Sequence, residues 1–259
     1  MPVRDNPPFG APCWTDLWTS DVEGSRRFYS ELLGWEALEP NADFGGYFMF
    51  TRAGVPVAGG MGASEDLAAD DMWKVYLATD DAEKTVAKGK EAGAQVVYDA
   101  MEVEGLGIQA GLLDPSGAQF GIWQPLRFPG FTVLNEDGAP SWFELHTRDH
   151  AGALAFYRDV FAWETTTVGD TDEFRYAVAR RAGMDDDMAG IMDGSGYLAA
   201  GEQSAWAIYW DVVDAKATTA KAASLGASVV HEAEETPHGV LATLRDPTGA
   251  EFRLRTPPA

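Results

Sequence analysis

Cysteine is almost absent. The 259-residue chain carries one, Cys13, which excludes an internal disulfide and any cysteine-based zinc cluster. Nothing near it in sequence suggests a lowered pKa, so it reads as a small buried side chain and not as a nucleophile. Positive charge is also scarce: 19 Lys and Arg stand against 41 Asp and Glu, a formal net charge of −22. Such a field repels phosphate backbones and anionic lipid, so neither nucleic acid nor a membrane surface is expected as a partner. No run approaches the roughly 20 apolar residues of a spanning helix, and MPVRDNPPFGAP has no apolar stretch of the signal-peptide kind, so a cytoplasmic location is expected. No G-x-G-x-x-G opens a helix after a strand, and G-x-x-x-x-G-K-[ST], G-x-S-x-G and H-E-x-x-H are missing, which removes the common nucleotide, serine-hydrolase and zinc-protease signatures. What is present is a globular composition, with 46% hydrophobic residues and nine tryptophans.

The chain is internally repeated. PCWTDLWTSDVEGSRRFYSELLGWE (12–36) aligns without gaps with PSWFELHTRDHAGALAFYRDVFAWE (140–164), with 10 of 25 positions identical. Val57-Ala58-Gly59 recurs as Met188-Ala189-Gly190, WKVYLATDDAEKTVAKGKEAGAQVV as WAIYWDVVDAKATTAKAASLGASVV, and LLDPSGAQFGIW as TLRDPTGAEFRLR. A whole module has been duplicated. Residues 125–140 hold three prolines and two glycines and place the boundary, giving modules at 8–126 and 140–257 with a linker at 127–139. Within a module the grammar repeats again. A strand at Cys13–Thr19 meets Asp21 as helix N-cap, Phe28, Leu32 and Leu33 follow at helical spacing, Gly34 ends the helix, and short strands come near 47–52 and 56–61. The second unit has a strand at 72–79, Asp80 or Asp81 as cap, a helix to Glu91, Gly93 as its stop, and strands near 95–98, 107–113 and 118–123. The pattern is βαβββ four times over.

With Asp21 and FYSELLGW, their copy Asp149 and FYRDVFAW, the helix ends EAGAQVV and SLGASVV, and the turns DPSGAQF and DPTGAEF, the chain resembles the vicinal oxygen chelate superfamily, the glyoxalase/bleomycin-resistance/dioxygenase fold. The resemblance covers nearly the whole chain and looks closest to its two-module glyoxalase-like proteins. It implies an α+β fold of four βαβββ units in two curled-sheet modules, each with a pocket. In the family, metal ligands lie on the first, fifth and eighth strands. Those places hold Trp14, Lys74 and Gly121 in module one and Trp142, Ala207 and Arg253 in module two. Indole, alkyl and guanidinium groups do not ligate zinc, iron or manganese, so no metal and no cofactor are expected. Glu144, His146 and Glu251 form the one alternative donor set.

Strand alternation puts residues i, i+2 and i+4 on one face. From the family's ligand position, Trp14, Asp16 and Trp18 face pocket one, joined by Lys74, Tyr76, Gln119 and Trp123. Trp142, Glu144 and His146 face pocket two, joined by Tyr209, Asp211, Glu251, Arg253 and Arg255. Pocket one is aromatic and suits a flat apolar ligand. Pocket two is ionisable, and a histidine beside a carboxylate suits proton transfer. The catalytic candidates are therefore Glu144, His146, Glu251, Arg253 and Asp16. Trp14, Trp18, Tyr76, Trp123, Trp142, Tyr209, Lys74 and Gln119 are the ligand-binding candidates. The structural alternatives stand beside these: Trp14 and Trp142 filling the space of a metal, and Glu144 with Arg253 as an ion pair across strands. His150 reads as a surface residue, His231 and His238 as solvated, and Asp185-Asp186-Asp187 as a solvated turn. The function expected is a metal-independent acid/base enzyme that cyclises, dehydrates, isomerises or hydrolyses an aromatic or oxygen-rich small molecule, as monomer or homodimer. A protein that sequesters such a molecule, and a metal-dependent glyoxalase or dioxygenase, are the alternatives.

Overall fold

Four aspartates start the four helices. Asp21, Asp81, Asp149 and Asp214 each accept a hydrogen bond from the backbone N–H three residues on, satisfying a donor that the first turn leaves unpaired. The computed structural model describes residues 6–63, 71–181, 183–184 and 186–258. Asp185 of the acidic run lies outside them. The helices are α1 (Val22–Leu33), α2 (Ala82–Glu91), α3 (His150–Phe161) and α4 (Ala215–Ser224). Gly34 closes α1 at φ 68°, whereas its copy Ala162 adopts the same left-handed conformation at φ 55° without glycine's freedom.

The strands of module one are β1 (Pro12–Thr19), β2 (Glu36–Ala37), β3 (Phe48–Arg52), β4 (Val55–Gly62), β5 (Met72–Ala78), β6 (Gln95–Val103), β7 (Gly107–Leu113) and β8 (Gln119–Pro125). They form one sheet in the order β2-β3-β4-β1-β5-β8-β7-β6. Module two repeats it with β9 (Pro140–Thr147), β10 (Trp163–Asp170), β11 (Arg175–Arg181), β12 (Asp187–Asp193), β13 (Ala205–Asp211), β14 (Ser228–Thr236), β15 (Gly239–Arg245) and β16 (Glu251–Thr256), in the order β10-β11-β12-β9-β13-β16-β15-β14. The fold is α+β, with two curled, open eight-stranded sheets. In each, the first strand of one unit runs antiparallel to the first strand of the next, β1 with β5 and β9 with β13. The units therefore pair in sequence order, and each concave face belongs to a single module.

The family motifs build the seam between modules. The Tyr29 hydroxyl on α1 donates to Asp246 Oδ2 at 3.0 Å in the DPTG turn of the other module, and the Tyr157 hydroxyl on α3 donates to Asp114 Oδ2 at 3.1 Å in the DPSG turn. Trp73 Nε1 donates to the Tyr29 oxygen at 2.9 Å and Trp206 Nε1 to the Tyr157 oxygen at 3.0 Å. The other oxygen of Asp114 accepts from Ser116 N, Ser116 Oγ and Ala118 N, so each aspartate ties its own turn and the opposite helix. Trp35 meets Trp210 edge-on across the seam, with centroids 4.7 Å apart. Both modules thus share one apolar core.

His150 corrects the surface expectation. It is only 9% exposed, because the start of α3 lies on β12 and the ring faces the Ile191 carbonyl. His231 and His238 are exposed, and Cys13 is buried.

Candidate active site

The concave face of the first sheet encloses a cavity of about 510 Å³. Its walls are rings: Trp14 and Trp18 from β1, Tyr76 from β5, Trp123 from β8, and Phe128 from the segment after β8. Near neighbours on β7 and β8 are glycines for a steric reason. A Cβ at Gly121 would lie 2.1 Å from Tyr76 Cδ1, and one at Gly107 would lie 2.3 Å from Trp123 Cζ2. Phe44 of the 3-10 turn at Ala42–Phe44 and the methionines Met49 and Met61 complete a largely apolar lining.

Polar groups interrupt this lining at Asp16, Glu39, Asn41 and Gln109, and of these Asp16, in the middle of β1, is buried at 6% exposure. Its Oδ1 accepts from Trp14 Nε1 at 2.9 Å and from the Tyr47 hydroxyl at 2.8 Å. The approach of Tyr47 depends on Gly59 of β4, where a Cβ would stand 1.9 Å from the Tyr47 oxygen and 2.3 Å from Asp16 Oδ1. Burial raises the Asp16 carboxyl above its ordinary range, outweighing the hydrogen bonds from Tyr47, Tyr76 and Trp14 and the attraction of Lys74. Lys74, the partner of Asp16 in the β1–β5 register, is fully buried. Burial pushes its amine down to about 8 against the pull of Asp16. Its Nζ lies over the rings of Trp18, Tyr76 and Tyr98 and donates to the Tyr98 hydroxyl at 2.7 Å. The Tyr98 hydroxyl in turn donates to Gln109 Oε1 at 3.3 Å.

Of the residues expected in pocket one, Trp14, Asp16, Trp18, Tyr76 and Trp123 line the cavity, and Lys74 sits behind Tyr98. Gln119 does not line it. It falls at the start of β8, paired with Leu113 at the far end of the sheet. Tyr47, Tyr98, Gln109 and Phe128 also line the cavity and were not expected from the sequence. Tyr176 is the counterpart of Tyr47 in module two, since Trp142 donates to Tyr176 as Trp14 does to Tyr47, and each tyrosine oxygen closes on a glycine, Gly190 or Gly59.

In module two the expected residues meet as an ion cluster. Glu144 Oε1 accepts from the Tyr209 hydroxyl at 3.1 Å and from Arg253 Nη1 at 3.1 Å, and Arg253 also donates to the Tyr209 oxygen at 2.7 Å. His146 Nε2 lies 2.8 Å from Glu144 Oε1, close but not aligned as a hydrogen bond. Its Nδ1 meets the hydroxyl of Tyr197. Burial pushes the Glu144 carboxyl up, but His146 and Arg253 overcompensate and bring it down to about 2. Burial and the Arg253 charge push His146 down, against the pull of Glu144. Glu251 stands at the rim, 3.7 Å from Arg253 and 3.4 Å from Arg245. Trp142 donates to Tyr176 at 3.0 Å, repeating the Trp14–Tyr47 contact. Arg255 grips Asp211 in two bonds of 2.7 and 2.9 Å.

A divalent metal of the kind the fold accommodates does not fit this donor set. Trp14 and Trp142 stand at the first ligand position, Lys74 and Arg253 put cations beside the two central carboxylates, and among the described residues no three His, Cys, Asp or Glu side chains are grouped to hold an ion. Among the same residues no helix is long and apolar enough to cross a membrane.

Two curled sheets, each with a carboxylate at the centre of its concave face, define a two-module protein of the vicinal oxygen chelate superfamily. Within it the chain belongs to the glyoxalase-like domain family, whose model matches residues 14–123 and again 142–255. It is 35% identical over 264 residues to the "Putative glyoxylase CFP32" of Mycobacterium tuberculosis, covering 99% of this chain and 98% of that one. It is 34% identical over 265 residues to the anthracycline biosynthesis protein DnrV of Streptomyces peucetius, covering 95% and 92%. Among solved structures, the Mn(II)-bound glyoxalase of Novosphingobium aromaticivorans superposes with a TM-score of 0.65 at 16% identity, over 95% of this chain and 82% of that one, a likeness of fold.

Proposed function

We propose that the protein is a metal-independent acid/base enzyme whose active site is the cavity of module one, and that it acts on a flat, polycyclic, oxygen-bearing aromatic molecule. The observation that carries this reading is the setting of Asp16. A buried carboxyl, raised by desolvation, stands among aromatic walls beside an amine lowered to about 8. General acid/base catalysis works best when the group's pKa lies near the working pH, and both shifts move in that direction. Glu144, at about 2, is a weak base by the same criterion. The cluster around it, including His146, Glu251 and Arg253, is read as an electrostatic brace of module two.

Ring walls supply binding by burial and offset or edge-on stacking, which favours a polycyclic ligand in about 510 Å³. The relatives named for anthracycline biosynthesis, aligned along 95% of the chain, support the same class. In the step proposed, the Asp16 carboxylate takes a proton from the bound molecule and returns it at the same or another atom. Tyr47 and Trp14 hold the oxygen that receives no proton. Isomerisation, cyclisation and dehydration all begin in this way and need no co-reactant.

The test is incubation with anthracycline aglycones, product analysis by mass spectrometry, and binding by tryptophan quenching. Asp16→Asn is expected to keep quenching and lose product formation at least a hundredfold. Recovery of every bound aglycone unchanged from the wild-type protein would instead make it a sequestering protein, and turnover that requires one equivalent of divalent metal would overturn metal independence.

A further inference from the structure

The hydrogen bonds behind the cavity have a direction. The Lys74 ammonium can only donate, so the Tyr98 oxygen accepts from it at 2.7 Å. The single Tyr98 hydrogen is then free for Gln109, whose Oε1 lies 3.3 Å away. That bond fixes the amide of Gln109: its oxygen is used inside the protein, and its NH2 group has no acceptor among the described residues while Gln109 lines the cavity. Asp16 forms the opposite pole, since it can only accept when ionised. The cavity is therefore polarised, with an acceptor on β1 and a donor on β7 that is backed by a buried positive charge through Tyr98. Chained hydrogen bonds of this kind strengthen one another in a low-dielectric setting.

We infer that the substrate is an aromatic ketone or quinone whose carbonyl oxygen accepts a hydrogen bond from the Gln109 side-chain amide, while Asp16 removes an acidic C–H hydrogen conjugated with that carbonyl. The inference rests on the reading of module one as the active site and names the class of molecule that site takes. The electrons balance within the substrate. The C–H pair moves into the ring system as the proton passes to Asp16, the carbonyl π pair moves onto oxygen, and the resulting enolate oxygen faces the Gln109 N–H. Return of the proton from Asp16 to a different atom completes the tautomerisation. Donors aimed at an oxygen that gains charge stabilise that state more than the ground state. Lys74 and Tyr98 touch no reacting atom in this scheme and are positioning residues.

Anthrone, which carries its carbonyl and its acidic carbon at opposite ends of the central ring, is the probe, and 9,10-dihydroanthracene is its carbonyl-free counterpart. Binding is read anaerobically by tryptophan quenching, and proton removal by incorporation of solvent deuterium at the acidic carbon, followed by mass spectrometry. The wild-type protein is expected to bind the ketone at least tenfold more tightly than the hydrocarbon and to speed the exchange. Gln109→Leu and Tyr98→Phe are expected to weaken ketone binding selectively and so bring that ratio near one, whereas general damage to the cavity weakens both ligands and leaves the ratio in place. A ratio near one in the wild-type protein, or a ratio that survives Gln109→Leu, overturns the inference. Exchange that survives Asp16→Asn with the ketone preference intact would sink the acid/base assignment of Asp16 and leave the carbonyl pole standing.

Discussion

Replacing Tyr29 by phenylalanine removes one oxygen atom from the seam and leaves two buried groups without a partner. Asp246 Oδ2 loses its donor at 3.0 Å, and Trp73 Nε1 loses its acceptor at 2.9 Å. The ring remains stacked on Trp35 and edge-on to Trp73 and Phe252, so no large cavity opens. An unsatisfied buried polar group costs about 1–3 kcal/mol, which puts Tyr29→Phe at about 2–6 kcal/mol. Against a total stability of roughly 5–15 kcal/mol that is a large share. The loss has a pH-dependent part whose sign is fixed. Burial already raises the Asp246 carboxyl, and removal of the tyrosine donor raises it further. A group raised in the folded state costs stability only once pH climbs above its unfolded value and through its folded one. The penalty should therefore be larger at pH 7 than near pH 4, where the indole share alone remains. Urea unfolding followed by tryptophan emission and by circular dichroism measures it. Tyr157→Phe, which orphans Asp114 and Trp206 in the same way, should match it and leave a single transition. A cost below about 0.5 kcal/mol for either variant, or separate melting of the modules, would refute the reasoning.

Gly59→Ala forces a methyl group onto the Tyr47 and Asp16 oxygens at 1.9 and 2.3 Å. It should cost about 1–3 kcal/mol as overpacking and weaken ligand quenching more than tenfold. Gly190→Ala, aimed at the Tyr176 oxygen at 1.9 Å, should cost similar stability and leave quenching at wild-type strength, so equal binding by both variants contradicts the assignment to module one. Glu144 is depressed from 4.5 to about 2. Its contribution, on the order of 3 kcal/mol, is present above pH 4.5 and lost as pH falls through about 2. Arg253→Met should shift the onset of acid unfolding to higher pH, and an unchanged onset in acid titration would show that the guanidinium does not hold the carboxylate down.

The four-unit architecture was legible in the sequence because each unit carries the same local grammar, an aspartate cap, a helical apolar stripe and a turn, and the duplication lets each copy vouch for the other. Period-two alternation placed Asp16, Trp14 and Trp18 on the cavity side of β1 for the same reason that it placed Glu144 and His146 together. It failed at Gln119, because parity says which face a residue takes and not how far along a curled sheet the cavity reaches. Tyr98 and Gln109 come from strands that lack the motifs and Tyr47 from the residue before β3, and their roles depend on cross-strand distances that no single strand encodes. Helix-facing Tyr29 and Tyr157 were visible as a repeated Phe-Tyr pair, but their partners lie 217 and 43 residues away, in the opposite module.

The two modules began as copies, and their difference in chemistry traces to where each keeps its cation. In both sheets the carboxylate faces the same neighbour position on the adjacent strand, occupied by Lys74 opposite Asp16 and by Ala207 opposite Glu144. One strand further, the tyrosine of that neighbour strand faces Gly121 in module one and Arg253 in module two. Module one thus has an amine on β5 and an empty Cα on β8, which leaves room for the Tyr76 ring. Module two has no cation on β13 and a guanidinium on β16, with its Cζ 5.2 Å from the centre of the Tyr209 ring. The distinction matters because an amine surrenders its proton when buried and a guanidinium does not. Lys74 falls to about 8 and Asp16 rises, so burial favours the uncharged form of both groups. Burial raises Glu144, but His146 and the permanently charged Arg253 outweigh it and hold the carboxyl down at about 2. Divergence at two positions on neighbouring strands therefore leaves one copy of the duplicated carboxylate beside a buried amine and the other in an ion pair with a guanidinium.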